Sequence, residues 1–233
     1  MLELKGIVAG YGGTTVLRGV DLLVPEGSVV AMLGANGAGK TTLLRVASGL
    51  LPATGGQLVL DGTDVTRSSP HQLVTRGICH VPEGRGVFPS LTVQENLILQ
   101  SLRGEEKRAI ERAVEAFPRL GERLSQVAGT MSGGEQQMLA LARTYVQHPK
   151  VVLLDEVSMG LAPKIVDEIF DFLARLRNEG CSLLLVEQYV TRALEVADYV
   201  YLLNRGEVAF AGEPSELAGE DVFTQYVGAD IGH

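Results

Sequence analysis

Nine residues early in the chain, Gly34-Ala35-Asn36-Gly37-Ala38-Gly39-Lys40-Thr41-Thr42, fit G-x-x-x-x-G-K-[ST], the spacing of a phosphate-binding loop. Its three glycines let the backbone turn tightly and aim several N–H groups at one point. An anion held there also meets the N-terminus of the following helix, where free N–H groups and the helix dipole favour negative charge. In this pattern Lys40 reaches the β- and γ-phosphates of a nucleotide and the Thr41 hydroxyl ligates Mg²⁺. Further along, Val151-Val152-Leu153-Leu154-Asp155-Glu156 is an apolar run ending in two acids. A buried strand ends this way where the acids emerge at a site. Beside a phosphate loop, Asp155 holds Mg²⁺ through water, and Glu156 accepts the proton of an attacking water. Ser132-Gly133-Gly134-Glu135 is a capping box that opens a helix. Paired glycines at a helix start cost stability, so something should need bare backbone there, and an approaching phosphate is the physical candidate. Tyr11, in Gly10-Tyr11-Gly12-Gly13 ahead of Val16, could stack on a nucleobase, although the residues alone favour a turn tyrosine.

Positioning these groups takes an α/β fold. Residues 28–33 form a short apolar strand before the phosphate loop, and residues 42–49 read as a helix ending near a glycine. Residues 2–33 are β-rich, with a turn at Pro25-Glu26-Gly27. Residues 58–60 form a strand, 70–77 a short helix and 78–81 another strand. Two prolines and two glycines then make residues 82–89 an exposed loop. Thr92-Val93-Gln94-Glu95 is a further capping box, and residues 105–117 are helical, with Ala109, Ala113, Val114 and Phe117 on one side. Pro163 starts a long helix whose stripe of Ile165, Val166, Ile169, Phe172, Leu173 and Leu176 is core. Residues 182–186 are a buried strand delivering Glu187 and Gln188 at its end. A helix over 190–197 and a hairpin around Asn204-Arg205-Gly206 follow. The organisation expected is one domain over 1–233: a core with a β subdomain from 1–89 and 148–233, and a helical insert over 90–147.

The 233 residues are 45% hydrophobic, enough for a substantial core, and carry a net charge of −8. Such an acidic chain is not steered onto nucleic acid. It opens without a signal peptide, and no apolar stretch approaches the ~18 residues of a membrane span. Cys79 and Cys181 lie far apart in apolar runs and read as buried thiols of a reducing compartment. His71, His80, His148 and His233 have no ligand spacing and read as loop or surface histidines.

Phosphate loop, Pro/Gly loop, Ser-Gly-Gly helix start and apolar strand with Asp-Glu occur in the order found in the ATP-binding cassettes of ABC transporters. The resemblance covers nearly the whole chain, and Met131-Ser132-Gly133-Gly134-Glu135-Gln136-Gln137 resembles the family signature. It implies a P-loop NTPase core with an antiparallel β subdomain and a helical insert. It also implies an ATP- and Mg²⁺-dependent ATPase, with Tyr11 and Val16 against the base. Two cassettes would meet head to tail, with Ser132, Gly133 and Gly134 of one completing the pocket of the other. Glu83 stands where most cassettes have a glutamine that senses γ-phosphate and Mg²⁺, and Gln188 where most have a histidine. An ionised Glu only accepts hydrogen bonds, whereas the Gln amide can donate to a γ-phosphate but takes no proton at neutral pH. The base role therefore falls on Glu156. Val81-Pro82-Glu83-Gly84-Arg85, Phe88-Pro89-Ser90-Leu91-Thr92-Val93 and Leu185-Val186-Glu187-Gln188 resemble an ATPase subunit of bacterial branched-chain amino acid importers. The urea or short-amide importers are similar. This implies two permeases, a partner cassette, a periplasmic solute-binding protein and a place on the cytoplasmic face of the inner membrane. Soluble cassettes acting on ribosomes or DNA carry two cassettes or a long coiled-coil insert, which this chain lacks. A guanine switch would need Asn-Lys-x-Asp, also lacking.

Overall fold

The computed structural model describes residues 1–84, 86–101, 104–187 and 190–217. In chain order the strands and helices begin with a hairpin, β1 (Leu2–Tyr11) and β2 (Thr14–Val24), then β3 (Val29–Leu33) and α1 (Lys40–Ala47). Next come β4 (Gly55–Leu60), β5 (Thr63–Asp64), α2 (Pro70–Thr75) and β6 (Ile78–Val81). A helical run follows, with α3 (Val93–Gln100), α4 (Glu106–Ala116), α5 (Pro118–Gly121) and α6 (Gly133–Gln147). The chain then returns through β7 (Val151–Asp155), α7 (Pro163–Asn178), β8 (Ser182–Val186) and α8 (Val190–Val196) to β9 (Tyr199–Asn204), β10 (Glu207–Gly212) and α9 (Pro214–Leu217).

The strands form two sheets. One is antiparallel, in the order β2-β1-β4-β5, and the other has six strands in the order β10-β9-β3-β8-β7-β6. In the second, β9, β3, β8, β7 and β6 run parallel and β10 closes the edge antiparallel to β9. Parallel strands covered on both faces are continuous apolar runs, which is what 29–33, 151–154 and 183–186 supply. Their period of two sorts them between two cores. Ala31, Leu33, Val152, Leu154, Leu183 and Leu185 pack under the helices α3, α4, α6 and α7. Val30, Met32, Val151, Leu153, Leu184 and Val186 pack against α1 and the antiparallel sheet. Because the strands are parallel, the C-terminal ends of β3, β6, β7 and β8 open on one edge, where α/β sheets place ligands.

Local sequence sets the helix starts. Thr92 and Ser132 both make full capping boxes, accepting from Glu95 N at 3.2 Å and Glu135 N at 3.3 Å while each glutamate accepts from the cap N–H. The loop leading to α3 is pinned by buried Asn96, which accepts from Phe88 N at 2.8 Å and donates to Phe88 O at 3.0 Å and Thr92 O at 2.9 Å.

His80 departs from its sequence reading. It is not in a loop but in β6, half-buried, with its Nε2 buried and without a hydrogen-bond partner among the described residues. Burial, then Arg143 and Arg45, lower its pKa from 6.5 to about 4. Arg143 approaches because its Nη2 donates to His80 O at 2.8 Å. The native imidazole thus stays neutral where the unfolded one protonates. Its contribution to stability is complete above pH 6.5 and is lost as pH falls toward about 4. The expected loss is on the order of 2–3 kcal/mol over that window. Comparing urea unfolding of the parent and His80→Gln at pH 7 and pH 4.5 measures it. Equal pH dependence in the two proteins would contradict the assignment.

Candidate active site

The phosphate loop joins the end of β3 to α1. Gly34 has φ 147°, and a Cβ there would lie 2.2 Å from Leu203 O on β9. Only glycine lets the loop start so close to the neighbouring strand. Lys40 is 5% exposed, and its ammonium donates to Gly34 O at 2.7 Å and Ala35 O at 3.2 Å. Burial lowers its pKa, while Glu156 and Asp155 act in the opposite direction. Ala38 closes the loop, donating its N–H to Ala35 O at 3.1 Å and accepting from Gly206 N at 2.9 Å.

Asp155, at the end of β7, is 1% exposed and accepts from the Thr41 hydroxyl at 3.3 Å. Burial raises its pKa to about 6; Glu156 and Glu83 add to the rise, and Thr41 and Lys40 oppose it. Glu156 follows in left-handed backbone, φ 48°, which turns its side chain away from the strand's alternation, and its N–H donates to Val186 O at 2.9 Å. A cleft of about 570 Å³ is lined by Val16, Asn36, Gly37, Gly39, Lys40, Thr41, Thr42, Glu83, Glu156 and Met159. The fold therefore gathers most of the residues singled out in the sequence at one place.

Two groups are not part of that lining. Tyr11 ends β1, 42% exposed, and its hydroxyl accepts from Arg45 of α1 at 3.2 Å. Ser132 caps α6 and Gly133 and Gly134 begin it, and none of the three lines the cleft. Gly134 also has a reason within the chain for lacking a side chain, since a Cβ would lie 2.9 Å from Ile165 Cγ2 of α7. Helix packing by itself gives a reason for that glycine. Gln188 lies outside the described residues.

Sequence reasoning missed Met159, 44% exposed at the cleft. It also missed the pairing of buried Glu187 with Ser158 behind it. A methionine carries no chemical signature in a sequence, and the Glu187–Ser158 contact spans two strands.

The donor set suits Mg²⁺. Among the described residues no three His, Cys, Asp or Glu side chains converge as a closed metal cage. Thr41 and Asp155, both hard oxygen donors, instead face each other beside the phosphate loop, an arrangement suited to a cation that draws its other ligands from phosphates and water.

Residues 17–159 match the family described as ABC transporter. The chain belongs to the ABC transporter family. It is an ATP-binding ATPase cassette of that family. It is 42% identical over 211 residues to the high-affinity branched-chain amino acid transport ATP-binding protein BraG of Pseudomonas aeruginosa, covering 89% of this chain and 91% of that one. It is 41% identical over 227 residues to the probable branched-chain amino acid transport ATP-binding protein LivF of Archaeoglobus fulgidus, covering 96% of each. Among solved structures it resembles a nucleotide-free ATP-binding cassette from an ABC transporter, with TM-score 0.87 and 26% identity over 100% of this chain and 99% of that one. It also resembles a dimeric bacterial ABC transporter cassette, with TM-score 0.81 and 27% identity over 92% of this chain and 99% of that one. ABC cassettes of this kind act as dimers with transmembrane subunits. Among the described residues of this one, no helix is long and apolar enough to cross a membrane.

Proposed function

We propose that this cassette hydrolyses ATP to energise uptake of branched-chain amino acids, bound peripherally to the cytoplasmic face of a bacterial inner membrane. The observation that carries the chemistry is the convergence of Lys40, Thr41, Glu83 and Glu156 on one cleft, with Asp155 tied to Thr41. The identities of 42% and 41% with the two amino acid transport relatives, over nearly their whole lengths, support the solute class.

In this reading the triphosphate lies in the loop of residues 34–42, with Lys40 on its terminal phosphates and Tyr11 and Val16 against the base. Thr41, Asp155 and Glu83 hold Mg²⁺, which when bound neutralises charge building on the phosphates. Glu156 takes the proton of the attacking water, and Gln188 donates to the γ-phosphate. The core and β subdomain (1–89 and 148–233) carry the loop. The helical segment 90–147 offers Ser132, Gly133 and Gly134 to the ATP of a partner cassette, either a second copy or a paralogue. Hydrolysis waits for that closure and moves two permeases, supplied by a periplasmic solute-binding protein.

The test is reconstitution with a pair of branched-chain amino acid permeases and their solute-binding protein in proteoliposomes. Leucine, isoleucine or valine on the binding-protein side is expected to raise ATP turnover severalfold. Stimulation by urea or a short amide, and not by these amino acids, would replace the solute assignment.

A further inference from the structure

The strand β8 does more than fill the sheet between β3 and β7. Its last residue and the one after it grip alternate residues of the turn that follows β7. Val186 O accepts from Glu156 N at 2.9 Å. The Glu187 carboxylate, 2% exposed, accepts from Ser158 N at 3.1 Å and from the Ser158 hydroxyl at 2.6 Å. Ser158 itself is fully buried. Within the turn the backbone makes long i→i+3 bonds, Met159 N to Glu156 O and Leu161 N to Ser158 O, both 3.3 Å. Glu156 adopts left-handed backbone, φ 48°, which a non-glycine residue keeps only when its surroundings enforce it.

A buried carboxylate is a demanding way to hold a turn, because the charge must be matched by hydrogen bonds. Here it fixes the segment that presents both Glu156 and Met159 to the cleft. Glu187 is also joined directly in sequence to Gln188.

We propose that Glu187 is a positioning residue for hydrolysis: through Ser158 it sets the turn that aims the Glu156 carboxylate. This rests on the reading of Glu156 as the base. Glu187 does not line the cleft. It acts by keeping the reacting geometry, where a displacement of about 1 Å can cost a hundredfold in rate.

The experiment compares Ser158→Ala, Ser158→Thr, Glu187→Gln and Glu156→Gln in the full chain. It measures kcat and KM for ATP, ATP binding and melting temperature. Ser158→Ala is expected to lower kcat about tenfold with KM and ATP binding changed less than about twofold, the pattern of an interaction felt in the transition state. Ser158→Thr, which keeps the hydroxyl, should recover most of the loss. In Glu187→Gln an amide NH₂ replaces one acceptor, so kcat should fall similarly, and the Ser158→Ala/Glu187→Gln double variant should be no worse than either alone. If Ser158→Ala turns over like the parent while Glu156→Gln is inactive, the positioning role is overturned and the base assignment stands. An active Glu156→Gln overturns the base assignment instead. Should Glu187→Gln not fold, Ser158→Ala, a smaller change, decides alone. A lowered melting temperature with unchanged kcat marks Glu187 as structural only and rejects the proposal.

Discussion

Glu156→Gln is expected to lower ATP turnover by about 10²–10⁴-fold, the range for removing a positioned general base, while leaving ATP bound. Glutamine has the shape of glutamate and the same backbone demands, so the left-handed turn at φ 48° and the bond from residue 156 N to Val186 O should persist. The lost charge has two electrostatic consequences. Glu156 contributes to the raised pKa of Asp155, so its neutralisation lets Asp155 ionise more easily and does not impair a cation held there. Glu156 also helps Lys40 stay protonated, but burial is the larger influence on Lys40 and Asp155 remains to offset it. Binding should therefore survive where chemistry does not. Phosphate release measured beside retained radiolabelled ATP separates the two. Parent-like phosphate release would place the base elsewhere.

The phosphate loop and the Asp155–Glu156 pair were legible because each is a local pattern. Nine consecutive residues carry the first, and an abrupt change from apolar to acidic marks the second. The main sheet was readable for the same reason, since apolar runs such as 151–154 and 183–186 need burial on both faces. What stayed hidden depends on pairing between distant segments. Ser158 and Glu187 are 29 residues apart and meet only because β7 pairs with β8. Arg143 and His80 are 63 apart, and it took the seating of α6 beside β6 to desolvate the imidazole and set a cation next to it. Gly134 is a subtler case. The sequence suggested an approaching phosphate as the reason for bare backbone, whereas the contact with Ile165 comes from a helix whose approach no local rule supplies.

Lys40→Ala should abolish tight ATP binding and, with it, turnover. The ammonium is buried inside the loop, with Gly34 O at 2.7 Å and Ala35 O at 3.2 Å, so it is held ready where a triphosphate's charge would fall. Truncating one partner of a buried charge pair costs about 2–5 kcal/mol, which is about 30- to several-thousand-fold in affinity. The backbone N–H groups of the loop remain, so weak binding of phosphate persists, but not at the parent's strength. Arginine is not expected to substitute, because its planar fork does not fit a slot shaped for a compact ammonium on a flexible stem. Without nucleotide the variant should be about as stable as the parent, since the charge it removes is one that burial already disfavours. Thermal shifts then discriminate cleanly. A ligand that binds only the folded state raises its stability according to its concentration relative to Kd. ATP should therefore raise the melting temperature of the parent and of Glu156→Gln, but not that of Lys40→Ala. An undiminished ATP shift in Lys40→Ala would mean that the triphosphate is held somewhere other than this loop, and the assignments of Thr41, Asp155 and Glu156 would fall with it.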